Sequence, residues 1–87
     1  MGFEYDPAKS RANRQKHGLD FAEASALWDD PWRLDVPVRT EGEARIMTLA
    51  KLNDRIWAAI WTIRGENIRV ISVRRARKDE VVYYENI

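Results

Sequence analysis

Residues 56–63 read "IWAAIWTI". No charge interrupts these eight positions, and they are apolar on both sides of an alternating strand, which suits the middle of a sheet covered above and below. The run is far short of the roughly 20 apolar residues a membrane helix needs. Neighbouring strands must therefore flank it. "ARIMTLAKL" (44–52) reads as the strand before it, joined through the turn "NDR" (53–55). "IRVISV" (68–73) reads as the strand after it, across the hairpin "RGEN" (64–67), where Gly65 and Asn67 are available for positive φ.

The first half must supply the cover. "FEY" (3–5) reads as a short strand with Phe3 and Tyr5 on one face. "DPAKSRANRQKHG" carries a full set of helix signals: Asp6 as N-cap, Pro7 at the first position, cations in the last turn and Gly18 as left-handed stop. Its only apolar residues, Ala8 and Ala12, predict one narrow packed stripe. Asp20 and Glu23 form a capping box opening a second helix, whose buried stripe is Phe21, Ala24, Leu27 and Trp28, and Pro31 ends it. Residues 31–44 read as a loop holding a short strand at 34–36, and a last helix starts near Ala76. The expectation is one α+β domain over residues 1–87: a small antiparallel sheet in the order β-α-α-β-β-β-α, with its helices on one face. The far side of the central strand then needs another cover, which a protein partner burying Trp57 or Trp61 would supply.

Composition narrows the class. With 45% apolar residues and four tryptophans in 87 positions, the chain can form a core and is not a disordered tail. It has no cysteine, which fits a reducing compartment, and a single histidine, so a protein zinc site is not expected. The first ten residues lack the basic and apolar regions of a signal peptide, so a cytoplasmic location with no membrane association is expected. A net charge of +1 conceals segregation: +4 from Lys9 to His17, −5 from Leu19 to Glu43 and +5 from Arg64 to Lys78. Two basic segments around an acidic one suit a polyanion, or an acidic middle folded back on both basic ends.

Several strings together resemble the BrnT family of bacterial type II toxins: "FEYD", Asn13 with Lys16-His17-Gly18, "DFAEA" followed by "DDP", Thr62 with Arg64-Gly65, and "RVISVRRA" from Arg69 to Ala76, then Glu80 and Tyr84. One departure is Val73, where a small residue is expected; it bears on packing more than chemistry. The resemblance implies a RelE-like fold and cleavage of RNA without a bound metal or other cofactor. It also implies neutralisation by a BrnA-like antitoxin that contributes the DNA-binding half of an autorepressing complex. A homodimer or a toxin–antitoxin hetero-oligomer is the expected assembly.

Metal-free cleavage must activate a 2′-hydroxyl and stabilise charge on the phosphorane, and arginine's rigid fork suits the second task. With eleven arginines and one histidine, cations must dominate. Arg64 and Arg74 are the residues the family resemblance favours. Hairpin geometry places them about six rungs, roughly 20 Å, apart, so they act separately along a track with Arg64 and Arg69 at one end and Arg74, Arg75, Arg55 and Lys51 at the other. His17 is a candidate general acid, imidazole being the side chain best suited to proton exchange at physiological pH, although a cation in a last helical turn also serves the helix dipole. Tyr84 is a further catalytic candidate; it or Tyr83 can stack on a base, and only one of the two can face inward. Lys9, Lys16 and Arg77 complete the RNA-binding candidates, Arg77 being equally suited to a surface ion pair with Glu80. A non-catalytic RNA-binding module and a protein adaptor are the rival readings. All of this requires that Arg64, Arg69, Arg74 and Arg75 are not each tied to an internal carboxylate.

Overall fold

A computed structural model describes residues 2–86. The elements are β1 (Phe3–Glu4), α1 (Pro7–His17), α2 (Phe21–Ala24) running into a 3-10 helix (Ser25–Asp29), β2 (Leu34–Val38), β3 (Arg45–Leu52), β4 (Arg55–Arg64), β5 (Asn67–Arg75) and α3 (Lys78–Glu85). The sheet order is β1-β5-β4-β3-β2, so "IWAAIWTI" is central as its composition requires. All pairs are antiparallel except β1, which runs parallel to β5 and corrects the purely antiparallel expectation. Asn53 and Asp54 adopt φ of 53° and 62° between β3 and β4, and Gly65 takes φ 61° between β4 and β5, as two-residue hairpin loops demand.

The segment 31–44 contains a longer strand than expected. β2 pairs from Leu34↔Leu49 to Val38↔Arg45, and Pro37 is tolerated because this is an edge strand. The second helix is also different. Its capping box closes as predicted, but after one turn the chain tightens to 3-10 geometry, with the Ser25 N–H donating to Ala22 O. The tighter winding keeps Ala24 and Leu27, three apart, in the core.

α1, α2 and the 3-10 helix cover one face of the sheet. There Phe21, Ala24 and Leu27 meet Ala50, Trp57, Ala59, Trp61, Ile68, Val70 and Val73. Trp28 packs edge-on against Phe3 and Trp61, at centroid distances of 5.0 and 6.0 Å. Both tryptophans of β4 are therefore buried inside this chain, which corrects the expectation that a partner covers them. The Trp61 indole N–H donates to Thr48 Oγ1 (2.7 Å), whose hydroxyl donates to Asp35 (2.7 Å), tying β4 to β3 and β2.

The buried stripe of α1 is polar. Ala8 and Ala12 are exposed, and Ser10 and Asn13 face inward instead. Both serve backbone that nothing else pairs. Ser10 Oγ accepts the Phe21 N–H (2.9 Å). The Asn13 carboxamide accepts the Val73 N–H (3.2 Å) and donates to Val73 O and Leu19 O (both 2.8 Å). A narrow alanine stripe would bury little area, whereas orphaned buried peptide groups cost about 1–3 kcal/mol each.

α3 lies on the opposite, far face, not beside the other helices. Glu80 and Tyr83 approach Val36, Met47 and Leu49. No side chain of α3 is buried, yet Leu49 and Ala58 beneath it are 1% and 0% exposed. Two polar clamps hold it. The Arg74 guanidinium donates to both Glu80 oxygens (2.7 and 3.0 Å), and the Tyr84 hydroxyl donates to Asp30 Oδ2 (2.6 Å). Hydrogen bonds from Arg74, against the opposing effect of burial, hold Glu80 below the ordinary glutamate range.

Asn13→Ala should cost about 2–4 kcal/mol in thermal unfolding, while Ala8→Gln on the exposed side stays within about 0.5 kcal/mol. Acid should loosen α3 before the core. Since the folded pKa of Glu80 is depressed, its contribution is complete above the ordinary value of 4.5 and fades as pH falls below it. Amide exchange in α3 that accelerates below that pH, and no longer does so at the Glu80 step in Glu80→Gln, is the expected result.

Candidate nucleic-acid interface

The far face owes its composition to one irregularity in β5. Ile60 pairs with Ser72 but Trp61 pairs with Val70, so Ile71 is an extra, bulged residue. Without it, strict alternation would put Arg69 and Arg74, five apart, on opposite faces. With it, Ile68, Val70 and Val73 all enter the core, and Arg69, Ser72 and Arg74 all point to the far face. Val73, the departure noted in the sequence, is 0% exposed, so it acts as a packing residue.

Arg64 shares that face, two residues beyond Thr62, which pairs with Arg69. Six residues of β4 separate it from Ala58, the partner of Arg74, or about 20 Å along the strand. The two arginines are on one face and too far apart for one phosphate, as the hairpin geometry predicts. Arg45 was missed by the sequence reading. It follows Ile46↔Trp61 by one step and turns away from the core beside Thr62, so strand alternation alone would have found it.

These cations are held very differently. Arg64 lies 3.7 Å from Glu43 with both side chains about half exposed, and the same carboxylate lies 3.8 Å from Arg45. The Arg45 Nε is buried without a hydrogen-bond partner among the described residues. Arg69 donates to Glu4 at 3.3 Å, and Asn67 donates to the other oxygen of that carboxylate. The exposed pairs to Glu43 are worth about 0–1 kcal/mol and exchange readily for another anion, whereas the Arg69–Glu4 pair is half-buried and held more firmly. Arg74 is different. Besides its double bond to Glu80, it donates to Arg75 O (3.3 Å) and approaches the Met47 sulfur (3.9 Å), and it is only 22% exposed. Its N–H groups are largely occupied. The acidic middle therefore does fold back in part, through Glu43 here and through Asp20 and Glu23 against Arg14.

The remaining candidates do not converge on this groove. Arg75 pairs with Trp57 and Arg55 with Leu52, so both emerge on the helical face, away from Arg74. No carboxylate lies within 4 Å of Arg75 among the described residues. Lys51 is on the far face but beyond α3, opposite Ile56. Arg77 is exposed at the start of α3, where its backbone N–H donates to Glu80. Lys9, Lys16 and His17 line another cavity, of about 210 Å³, at the β5 edge, with Asn13, Phe21, Ile71 and Ser72, the last shared with the far-face strip. Tyr84 is the inward tyrosine and Tyr83 the exposed one. Burial, together with the hydrogen bond to Asp30 and its charge, pushes the Tyr84 hydroxyl up to about 12, so it holds its proton. No group of three or more His, Cys, Asp or Glu side chains is placed to hold a metal ion among the described residues.

The far face thus carries half-buried Met47, Ile60 and Ser72 and buried Thr62, with Tyr83 of α3 beside Met47, Arg45, Arg64 and Arg69 toward the hairpin end and Arg74 at the α3 end. Exchangeable cations beside partly apolar floor fit a single-stranded polyanion. No curated protein matches the chain. The family model described as the ribonuclease toxin BrnT of type II toxin–antitoxin systems matches residues 5–80, which take in α1 through β5 and end at Glu80, the partner of Arg74. The chain therefore belongs to the BrnT family of ribonuclease toxins.

Proposed function

We propose that this BrnT-family protein is a metal-independent endoribonuclease toxin that grips RNA on the far face of a RelE-like sheet and arrests translation in the cytoplasm. The observation that carries the reading is the contrast in how the arginines are held. Arg45 and Arg64 share the solvent-facing carboxylate of Glu43, so a phosphate can replace that partner at little cost, and Arg69 stands beside them on a half-buried Glu4. Arg74, doubly bound to Glu80, instead holds α3 as the wall of the groove.

In the proposed reaction the 2′-oxygen attacks the adjacent phosphorus and loses its proton as the bond to the 5′-oxygen breaks. That oxygen leaves with a proton. The products are a 2′,3′-cyclic phosphate and a 5′-hydroxyl. Arg64 and Arg69 stabilise the charge that grows on the non-bridging oxygens, where such a contact is worth about 2.7–4 kcal/mol. His17 lies outside the groove and acts through structure in this scheme, and Tyr84 supports α3.

The same groove suits the antitoxin. Val36, Met47 and Ile60 are half-buried beside the arginines, so an acidic segment with apolar side chains fits both parts. A BrnA-like antitoxin would cover the toxin with that segment and bring the DNA-binding half of an autorepressing hetero-oligomer.

Arg64→Ala should lower kcat/KM by about 10²–10³ while changing thermal stability by less than about 1 kcal/mol. Arg74→Ala should lower stability as well, because Glu80 loses its partner. RNA ends carrying cyclic phosphate and 5′-hydroxyl, formed equally in the presence of a chelator, are expected from the wild type. A stoichiometric antitoxin should stop their formation. Wild-type protein that leaves RNA intact would sink the enzyme reading.

A further inference from the structure

A second cleft lies outside the arginine groove and none of the chemistry above uses it. It measures about 680 Å³ and is lined by Trp32, Arg33, Leu34, Lys51, Tyr84 and Glu85. Trp32 is 76% exposed, the most open large apolar side chain among the described residues, whereas Trp57 and Trp61 are almost completely buried. Leaving an indole in water forgoes one of the largest burial gains available to a side chain.

The turn that carries this indole is rigidly built. Asp30 Oδ1 accepts the Trp32 N–H (2.9 Å), and Asp30 O accepts both the Arg33 N–H and its guanidinium (each 3.2 Å). Asp30 Oδ2 accepts the Lys51 N–H (2.8 Å) and the Tyr84 hydroxyl. Burial works against ionisation of Asp30, but these donors outweigh it and hold the carboxyl below its ordinary range. One carboxylate thus organises the turn, β3 and α3 around an exposed ring. The lining carries two cations, Arg33 and Lys51, and one anion, Glu85. Asp30 beside it stays ionised, so the two cations are matched by two carboxylates, and what the cleft offers a ligand is their placement next to the open ring.

A flat, exposed ring beside two cations is the combination that binds a stacked base and its phosphate. The cleft also opens on the face that carries the arginines. Lys51 and Leu34 are far-face residues, and Lys51, opposite Ile56, stands eight residues along β4 from Arg64. That is roughly 26 Å, comparable to the 32 × 27 × 23 Å dimensions of the whole molecule.

We propose that the Trp32 cleft is a second RNA subsite, in which one nucleotide outside the scissile bond stacks on the indole while Lys51 and Arg33 hold its phosphate. The inference rests on the ribonuclease reading of the far face and names a substrate-binding contact for it. Its energetic role is uniform binding, since the base it holds is remote from the reacting phosphorus.

Fluorescence anisotropy with a non-cleavable, fully 2′-O-methylated single-stranded RNA tests it, on the full chain. Trp32→Ala should weaken binding roughly five- to a hundredfold, the loss of one base stack. Trp32→Phe should restore most of the affinity. On cleavable RNA, Trp32→Ala should raise KM and leave kcat nearly unchanged, and its melting temperature should match the wild type because the ring is exposed. Lys51→Ala should make the salt dependence of binding shallower by about one phosphate contact. Wild-type affinity in Trp32→Ala overturns the subsite while leaving the arginine groove intact. Loss of antitoxin binding with RNA binding unchanged also overturns it, and assigns the indole to a protein partner. If the wild type neither binds nor cuts RNA, the ribonuclease reading itself fails and the subsite with it.

Discussion

The carboxamide of Asn13 does for β5 what a neighbouring strand would do. β1 pairs only with Ile68 and Arg69, so the rest of that edge lacks a partner strand. Asn13 reaches from α1 and meets both the N–H and the carbonyl of Val73, two residues beyond the bulge at Ile71. This contact joins the helical layer to the sheet and secures the shifted register of β5. The placement of every cation on that strand follows from it, since a one-residue slip exchanges the two faces.

The far face then divides by how well its charges are satisfied. At one end Arg45 and Arg64 share Glu43 in open, replaceable pairs, next to the half-buried pair of Arg69 with Glu4. At the other end Arg74 is committed to Glu80, and with Tyr84 and Asp30 it fastens a helix that buries none of its own side chains. A ribonuclease needs both kinds of site: cations free enough to accept a phosphate, and a wall fixed enough to orient it. In the proposed mechanism these two tasks fall to residues that look alike in sequence. Trp32 repeats the logic in aromatic form, an open ring held in place by a fully occupied carboxylate.

Much of this was legible from residues alone. Local signals are short-range, so the Asp6–Pro7 helix start, the Gly18 stop, the Asp20–Glu23 capping box and both hairpin turns stand where the sequence reading puts them. The separation of Arg64 from Arg74 was equally readable, because a two-residue hairpin sets the register. What failed did so through long-range partners. Ser10 and Asn13 displaced two alanines from the inner stripe because their polar groups answer backbone some distance along the chain. α3 went to the opposite face because Glu80 and Tyr84 have partners there that no helical periodicity reveals.

Sequence by itself determined that the chain is an α+β fold around a central apolar strand, with BrnT-like strings and a surplus of arginine for an anionic substrate. Those properties are carried by composition, periodicity and turn chemistry, which act over a few residues. Tertiary structure alone decided which arginines share a face and which are free. A single bulge inverts the alternation of β5, and a carboxylate brought in from another element occupies one guanidinium while leaving its neighbours to the solvent.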